Sequence, residues 1–403
     1  MIRSLTIRNY KSILDHSIEL GRINVFIGEN GCGKTNILEA VGLAGAALTD
    51  KLSTEELLLR GLRVAKPSIM RSAFPGNRAK DIEIETTFDK KNSDASLHIA
   101  LRLAAEGEST AEAKWSEKLG REEVDFKTEE LMSKELARAV AETAAKMQGA
   151  QSTLQEVLPF ALAAVFRDRY APRAQLRELV GEYAIYNANA LVLRGLQVVS
   201  QRVPLGIHGE RLDYAISTLP AEVWADVLER ARCISWLENV VVDATDQLKY
   251  QGHKLGQSQS TLYFHDKHMR RRSNIFSAEN VNEGILHVLF HLTLFVSEGT
   301  PKVLGIDNID TAMNPQLCRD LMKQLSELAV KHDKQALITT HNPAILDGLN
   351  LGDDEQRLFV VYRNDDGHTL TRRISAKPQP DGQKLKLSEL WMRGHIGGIP
   401  RNF

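Results

Sequence analysis

Phosphate chemistry is written into one short stretch of the sequence. Gly28-Glu29-Asn30-Gly31-Cys32-Gly33-Lys34-Thr35 fits the pattern G-x-x-x-x-G-K-[ST] at every fixed position. Glycines there let the backbone fold tightly enough for several amide N–H groups to converge on phosphate oxygens. Lys34 would bring an ammonium to the β- and γ-phosphates, and Thr35 a hydroxyl to a magnesium ion. A helix starting at Lys34 adds the positive end of its dipole to the same anion site. Cys32 occupies a variable position, and no cysteine near it in sequence offers a redox partner.

A phosphate loop of this kind needs a carboxylate from a neighbouring strand to hold the magnesium shell. Lys302-Val303-Leu304-Gly305-Ile306-Asp307 supplies an apolar strand ending in one. Asn308 and Asp310 follow it, and Thr339-Thr340-His341 closes another apolar strand. An imidazole there would lie at the carboxyl edge of an α/β sheet, where such folds bind nucleotides. Asn282-Glu283-Gly284 opens a helical stretch with a small polar cap, a favourable place for an anion.

The elements that must hold these groups follow from periodicity. Residues 4–13 and 16–20 read as strands, and 23–27 as a buried strand ahead of a helix over 34–48. Residues 81–88 and 96–103 alternate as strands. A long helix is expected over 128–147, continuing with breaks to Phe166, and another over 222–237. Strands are expected at 239–244 and 261–264. The last third alternates: helix 283–295, strand 303–306, helix 315–330, strands 336–339 and 359–362, and a turn at Asn364-Asp365-Asp366-Gly367. Such alternation argues for an α/β sheet. The loop and its carboxylate stand far apart in sequence. The expected fold is therefore a split P-loop nucleotide-binding domain, with halves at 1–89 and 261–403 around a mostly helical insertion lobe at 90–260.

Composition sets the outer limits. The chain has 403 residues, enough for two or three structural units and a core that needs no disulfide or structural metal. Fifty-one basic residues against 52 acidic give a net charge of −1, which excludes a uniformly basic nucleic-acid coat but not a local basic groove. No apolar run reaches the ~18 residues of a membrane span, and the N-terminus does not read as a signal peptide. Cys32, Cys233 and Cys318 are odd in number and far apart, which argues against a disulfide framework or zinc site and fits a reducing cytoplasm.

Together the motifs resemble the ABC-type ATPases of the SMC, RecF and OLD group. The opening Ile7-Arg8-Asn9-Tyr10-Lys11-Ser12 and the loop through Asn36 resemble that group's N-terminal signature. Ile306 to Pro315 resembles its joined Walker B and D-loop, and Thr339 to Pro343 its switch histidine motif. Asn282-Glu283-Gly284-Ile285-Leu286 resembles its Ser-Asp-Gly or Ser-Gly-Gly signature, and the order along the chain is the group's order. The resemblance implies ATP and Mg²⁺ as ligands. Asn30, Gly31, Cys32, Gly33, Lys34, Thr35 and Asn36 would hold the nucleotide, and Thr35 and Asp307 the metal. It further implies a homodimer or higher oligomer in which Asn282 and Gly284 of one head cap the ATP of another.

Three positions depart from the pattern. Asn308 stands where the group has a catalytic Glu, Asn314 where the D-loop has Asp, and Asn282 where the signature has Ser. An amide cannot take a proton from water, but it can orient one. Either hydrolysis is slow and ATP mainly holds subunits together, or Asp310 or His341 compensates, making Asn308, Asp310 and His341 the catalytic candidates.

The intervening 90–260 segment shows no sustained heptads, so a long SMC arm is not expected. Lys267-His268-Met269-Arg270-Arg271-Arg272 is the strongest basic cluster, either a DNA contact or a solvated hairpin tip. Arg167, Arg169 and Arg173 carry the same ambiguity. The Gly-rich tail 390–400 would be a packed cap or a docking strip. A fused nuclease like that of OLD and Gabija-like proteins is not expected so soon after the His341 motif, so the resemblance points to ATPase subunits of Septu- and PARIS-type anti-phage systems. A separate effector, expected to be a nuclease, would be the partner. A RecF-like repair ATPase and an ATP-bound scaffold with little turnover are the alternatives.

Overall fold

A computed structural model describes residues 1–79, 81–89, 96–106, 114–119, 173–200, 202–254, 256–271, 273–375 and 386–398. The helix expected over 128–166 lies outside these residues, as do Arg167, Arg169 and Arg272.

Alternating burial builds an N-terminal antiparallel sheet from β1 (Ile2–Tyr10), β2 (Ile13–Glu19), β4 (Ile82–Asp89), β5 (Ser96–Glu106) and β6 (Lys114–Leu119), in the order β2-β1-β4-β5-β6. β1 ends earlier than the sequence pattern suggests. Asn9 and Lys11 take φ of 58° and 48°, left-handed values that break the ladder and start a tight turn.

The central sheet has six strands in the order β14-β13-β3-β12-β11-β7: β3 (Ile23–Ile27), β7 (Ile185–Tyr186), β11 (Val303–Ile306), β12 (Gln335–Thr339), β13 (Gln356–Arg363) and β14 (Thr369–Ile374). All its pairings are parallel except β13 with β14. β3, β11 and β12 are buried at every residue, as expected of parallel strands covered on both faces. Ile23, Val25 and Ile27 pack toward the helices Glu283–Val296 and Pro315–Lys331. Phe26 faces the other way, with the helix Lys34–Leu48 and the N-terminal sheet, and stacks on Phe359 at 5.2 Å. The Lys34–Leu48 helix thus lies between two sheets, which explains why it is apolar nearly all round.

A third antiparallel sheet, β10-β9-β8, comprises β8 (Leu237–Val242), β9 (Leu262–Asp266) and β10 (Ile275–Ser277). The helix expected over 222–237 stops at Ala231, and a series of i→i+3 turns carries the chain to Leu237, where β8 begins. β8 ends at Val242 because the next carboxylate, Asp243, folds onto the N–H groups of Thr245 and Leu248.

The expected lobe boundaries do not coincide with the sheets. β5 and β6, which fall after residue 89, extend the N-terminal sheet, and β7 joins the central one. A two-residue strand carries too little periodicity to be seen in sequence. The tail packs: Trp391 and Ile396 are buried, Ser388 bonds to Asp347, and Arg372 donates to the Ile396 carbonyl. That favours the packed cap. No helix among the described residues is long and apolar enough to cross a membrane.

Candidate functional site

The loop between β3 and the Lys34–Leu48 helix is built around glycine. Gly28 and Gly33 take φ of 149° and 107°; a Cβ there would lie 2.2 Å from the Val361 carbonyl oxygen and 2.3 Å from Thr369 Oγ1. No other residue fits without moving the β13–β14 hairpin. That hairpin in turn holds the loop. Thr369 Oγ1 donates to the Cys32 carbonyl at 2.7 Å and shares a hydrogen bond with Ser12 Oγ, which accepts from Asn36 Nδ2.

Beneath the loop lies a buried charge cluster. Glu39 is fully buried and accepts Lys11 Nζ at 2.6 Å and Arg63 through both its backbone N–H and its Nε. Arg63 also donates to Asn36. Burial pulls the Lys11 ammonium below its usual value, and Glu39 opposes that shift. Two cations on one carboxylate leave the base of the loop positive, which suits an anion.

Lys34 Nζ rests on the loop's own carbonyls, 2.9 Å from both Gly28 and Glu29, and 4.0 Å from Cys32 Sγ. Burial lowers its pKa, while Cys32, Asp307 and Asp310 hold the charge in place. Cys32 is buried and free, and burial pushes its thiol pKa up, so it is no reactive thiolate.

Asp307 ends β11 beside the loop. It accepts Thr35 Oγ1 at 3.2 and 3.3 Å and Thr339 Oγ1 at 2.5 Å. Thr339 Oγ1 also receives the Asn308 N–H, and Asn308 sits in the left-handed region at φ 56°. Asp310 accepts Thr340 Oγ1 at 2.7 Å and the His341 N–H at 3.3 Å. Burial, then Lys34, lowers the His341 pKa, leaving a neutral imidazole at pH 7. Among the described residues no three of His, Cys, Asp and Glu gather to hold a metal alone. A hydroxyl beside one carboxylate fits magnesium, which takes its other oxygens from phosphate and water.

Asn282 and Gly284 lie elsewhere. With Asn314 and Trp236 they line a cavity of about 400 Å³, to which no loop residue contributes. Both Asn side chains are helix caps: Asn282 Oδ1 accepts the Gly284 N–H, and Asn314 Oδ1 the Leu317 N–H, each at 2.9 Å. Asn30, Gly31 and Cys32 line a separate cavity of about 1040 Å³, with Arg363, Arg372 and the tail on its other walls.

The structure therefore gathers Lys34, Thr35, Asn36, Asp307, Asn308, Asp310 and His341 into one region and sets Asn282 and Gly284 apart. Sequence reasoning missed Glu39, Arg63, Thr339 and Thr369 as supports. Glu39 is the one acidic residue in an otherwise apolar helix, a signal that was available. Thr369 and Arg63 act from distant segments and carry none.

Residues 23–347 match the family described as "AAA domain, putative AbiEii toxin, Type IV TA system". A stretch of 109 residues is 34% identical to the OLD nuclease of Thermus scotoductus, covering 27% of this chain and 18% of that protein. A stretch of 60 residues is 38% identical to the DNA replication and repair protein RecF of Halothermothrix orenii, covering 15% and 16%. The chain thus matches less than a fifth of the length of either relative. The fold superimposes on an SMC head bound to the C-winged helix domain of ScpA with a TM-score of 0.53, at 14% identity, covering 93% of this chain and 98% of that one. The chain belongs to this AAA-domain family, is similar in sequence to parts of OLD and RecF proteins, and shares the fold of an SMC head.

Proposed function

We propose that this chain binds ATP with magnesium, pairs with a second copy around the nucleotide, hydrolyses it slowly, and thereby controls a separate nuclease effector in anti-phage defence. The observation that carries the pairing is the separation of the two half-sites. Asn282 and Gly284 line a cavity to which Lys34, Thr35 and Asp307 do not contribute. A loop-bound γ-phosphate would meet a signature only from another copy.

Within one copy, Lys34 would exchange the Gly28 and Glu29 carbonyls for phosphate oxygens. Thr35 and Asp307 would hold the metal, which neutralises charge on the β- and γ-phosphates. Asn30 to Gly33 and Asn36 would supply the cradle. Asp310 is engaged by Thr340 and the His341 backbone, so its role is to position His341 rather than to take a proton. Asn308 and the neutral His341 would orient the attacking water. From the second copy, Asn282 would offer its Nδ2, since its Oδ1 is occupied by the cap.

The defence role draws support from the names of the OLD nuclease and the AbiEii toxin among the similar proteins. The RecF match supports a second reading, a DNA-repair ATPase. The Asn308 substitution supports a third, a scaffold in which turnover is incidental. Phosphate release by the purified chain, with and without duplex DNA and with Lys34→Ala as the blank, tests the enzyme. Light scattering with and without ATP tests the pairing. Loss of phage protection in Lys34→Ala, together with co-purification of a nuclease encoded next to this gene, tests the defence role. Stimulation by duplex DNA without either favours repair.

A further inference from the structure

The β9–β10 hairpin ends in a tip at 267–273 on which Lys267, His268, Met269, Arg270 and Arg271 are all exposed. Several arginines elsewhere among the described residues are spent on carboxylates: Arg3, Arg8, Arg60, Arg63, Arg230 and Arg357 each close on Asp or Glu. Arg173, from the other basic run, pairs with Asp50. Lys267, Arg270 and Arg271 have no ion-pair or side-chain hydrogen-bond partner among the described residues. The nearest acid in sequence, Asp266, is occupied by the His268 N–H at 2.8 Å. Three unneutralised cations within five residues stand out on a chain of net charge −1.

We propose that this tip is a contact for the phosphate backbone of a nucleic acid. Two guanidiniums can each fork onto phosphate oxygens, and the lysine adds a point charge. A narrow hairpin tip can follow a backbone or groove edge, making contacts that position a strand without reading its bases. A membrane surface would need a broad apolar face, and the tip offers only Met269. The placement adds consequence. The Lys267 N–H donates to the Trp236 carbonyl at 3.0 Å, and Trp236 walls the cavity that holds Asn282 and Gly284. A nucleic acid on the tip would therefore lie at the rim of the signature half-site. The proposal does not depend on the effector or on pairing.

The test is fluorescence anisotropy of labelled duplex DNA, the matching single strand and the matching duplex RNA, each about 30 nucleotides long, over a salt series from about 50 to 200 mM. The triple variant Lys267→Ala, Arg270→Ala, Arg271→Ala should bind at least about tenfold more weakly at ~100 mM salt, with the slope of log K against log salt shallower by about 2 to 3 for duplex. An unchanged melting temperature shows that the variant is folded, and Lys51→Ala, an exposed lysine after the Lys34–Leu48 helix, should bind like the parent. Preference among the three probes names the kind of nucleic acid. Equal binding by the parent and the triple variant overturns the proposal. So does the absence of binding by the parent to all three probes at the lowest salt, which would leave the tip to an acidic protein surface.

Discussion

The two half-sites differ in how much of the molecule is committed to them. The loop is held by the β13–β14 hairpin through Thr369, by the β1–β2 turn through Ser12, and from below by Glu39 with its two cations. These partners come from segments distant in sequence, so the loop's geometry is set before any ligand arrives. The signature half-site has two helix caps beside a cavity of about 400 Å³, and Asn282 is exposed. A preorganised pocket can bind by itself, because little entropy is left to lose. A pair of capped helix starts on an open surface gains its full anion-binding strength only when another molecule excludes water. The difference is that between a binding site and one side of an interface.

Lys34→Ala should break the first half most severely. It removes the one ammonium that can turn from loop carbonyls to phosphate. ATP binding, followed with a fluorescent analogue, and phosphate release should each fall by at least about 100-fold, the scale of losing a charged donor at a developing anion. Retained turnover would mean that the loop is not the catalytic half. Next in size is Asn308→Glu. A carboxylate at the end of β11 restores a proton acceptor, and turnover should rise by about tenfold or more. A variant no faster than its parent would assign water activation to His341 alone. A faster variant that fails in the phage assay would favour the scaffold reading.

How legible each half was in sequence follows from the same difference. The loop residues are contiguous, and the pattern G-x-x-x-x-G-K-[ST] exists because one turn geometry demands it, so Gly28 to Thr35 could be read directly. Asp307 and His341 were found because each ends an apolar strand of recognisable length. Glu39 could have been found, since a carboxylate in an otherwise apolar helix must be paired. Thr369 could not: its contact with Cys32 depends on the β13–β14 hairpin folding back over more than 300 residues of sequence separation. Tyr183, whose phenol pKa is raised by burial first and by Asp307 and Glu39 after it, follows a segment that has no readable periodicity. β7 was invisible for a different reason. Its two residues hold their place through β11, not through any pattern of their own.

The signature helix carries its own vulnerability. His287 and His291 are buried in it, and burial lowers their pKa values to about 4 and about 3. The folded state thus binds fewer protons than the unfolded state, where imidazole titrates near 6.5. Stability is full above pH ~6.5 and is lost as pH falls toward the folded values. Melting temperature measured from pH 7 down to pH ~4.5 should fall steeply, and less steeply in His291→Leu. An identical acid limb in both proteins would place the sensitivity elsewhere. Beneath the loop the corresponding weak point is Glu39. Glu39→Gln leaves two cations facing an amide and should cost about 3 kcal/mol of stability by denaturant titration. A loss under about 1 kcal/mol would mean that the exposed side of Arg63 screens the cluster.

The smallest change in stability is expected to be the most informative about assembly. Asn282→Ala removes one cap and should cost only about 1 kcal/mol. It leaves every loop contact intact, so ATP affinity of the isolated chain should not move. What should move is assembly: ATP-dependent pairing should weaken together with turnover, while Asn282→Ser, which keeps the cap and restores the hydroxyl, should pair at least as well as the parent. If Asn282→Ala loses stability but pairs normally, the cap is only a cap. If it pairs poorly at undiminished ATP affinity, the loop and the signature of one chain are halves of a site that two chains complete.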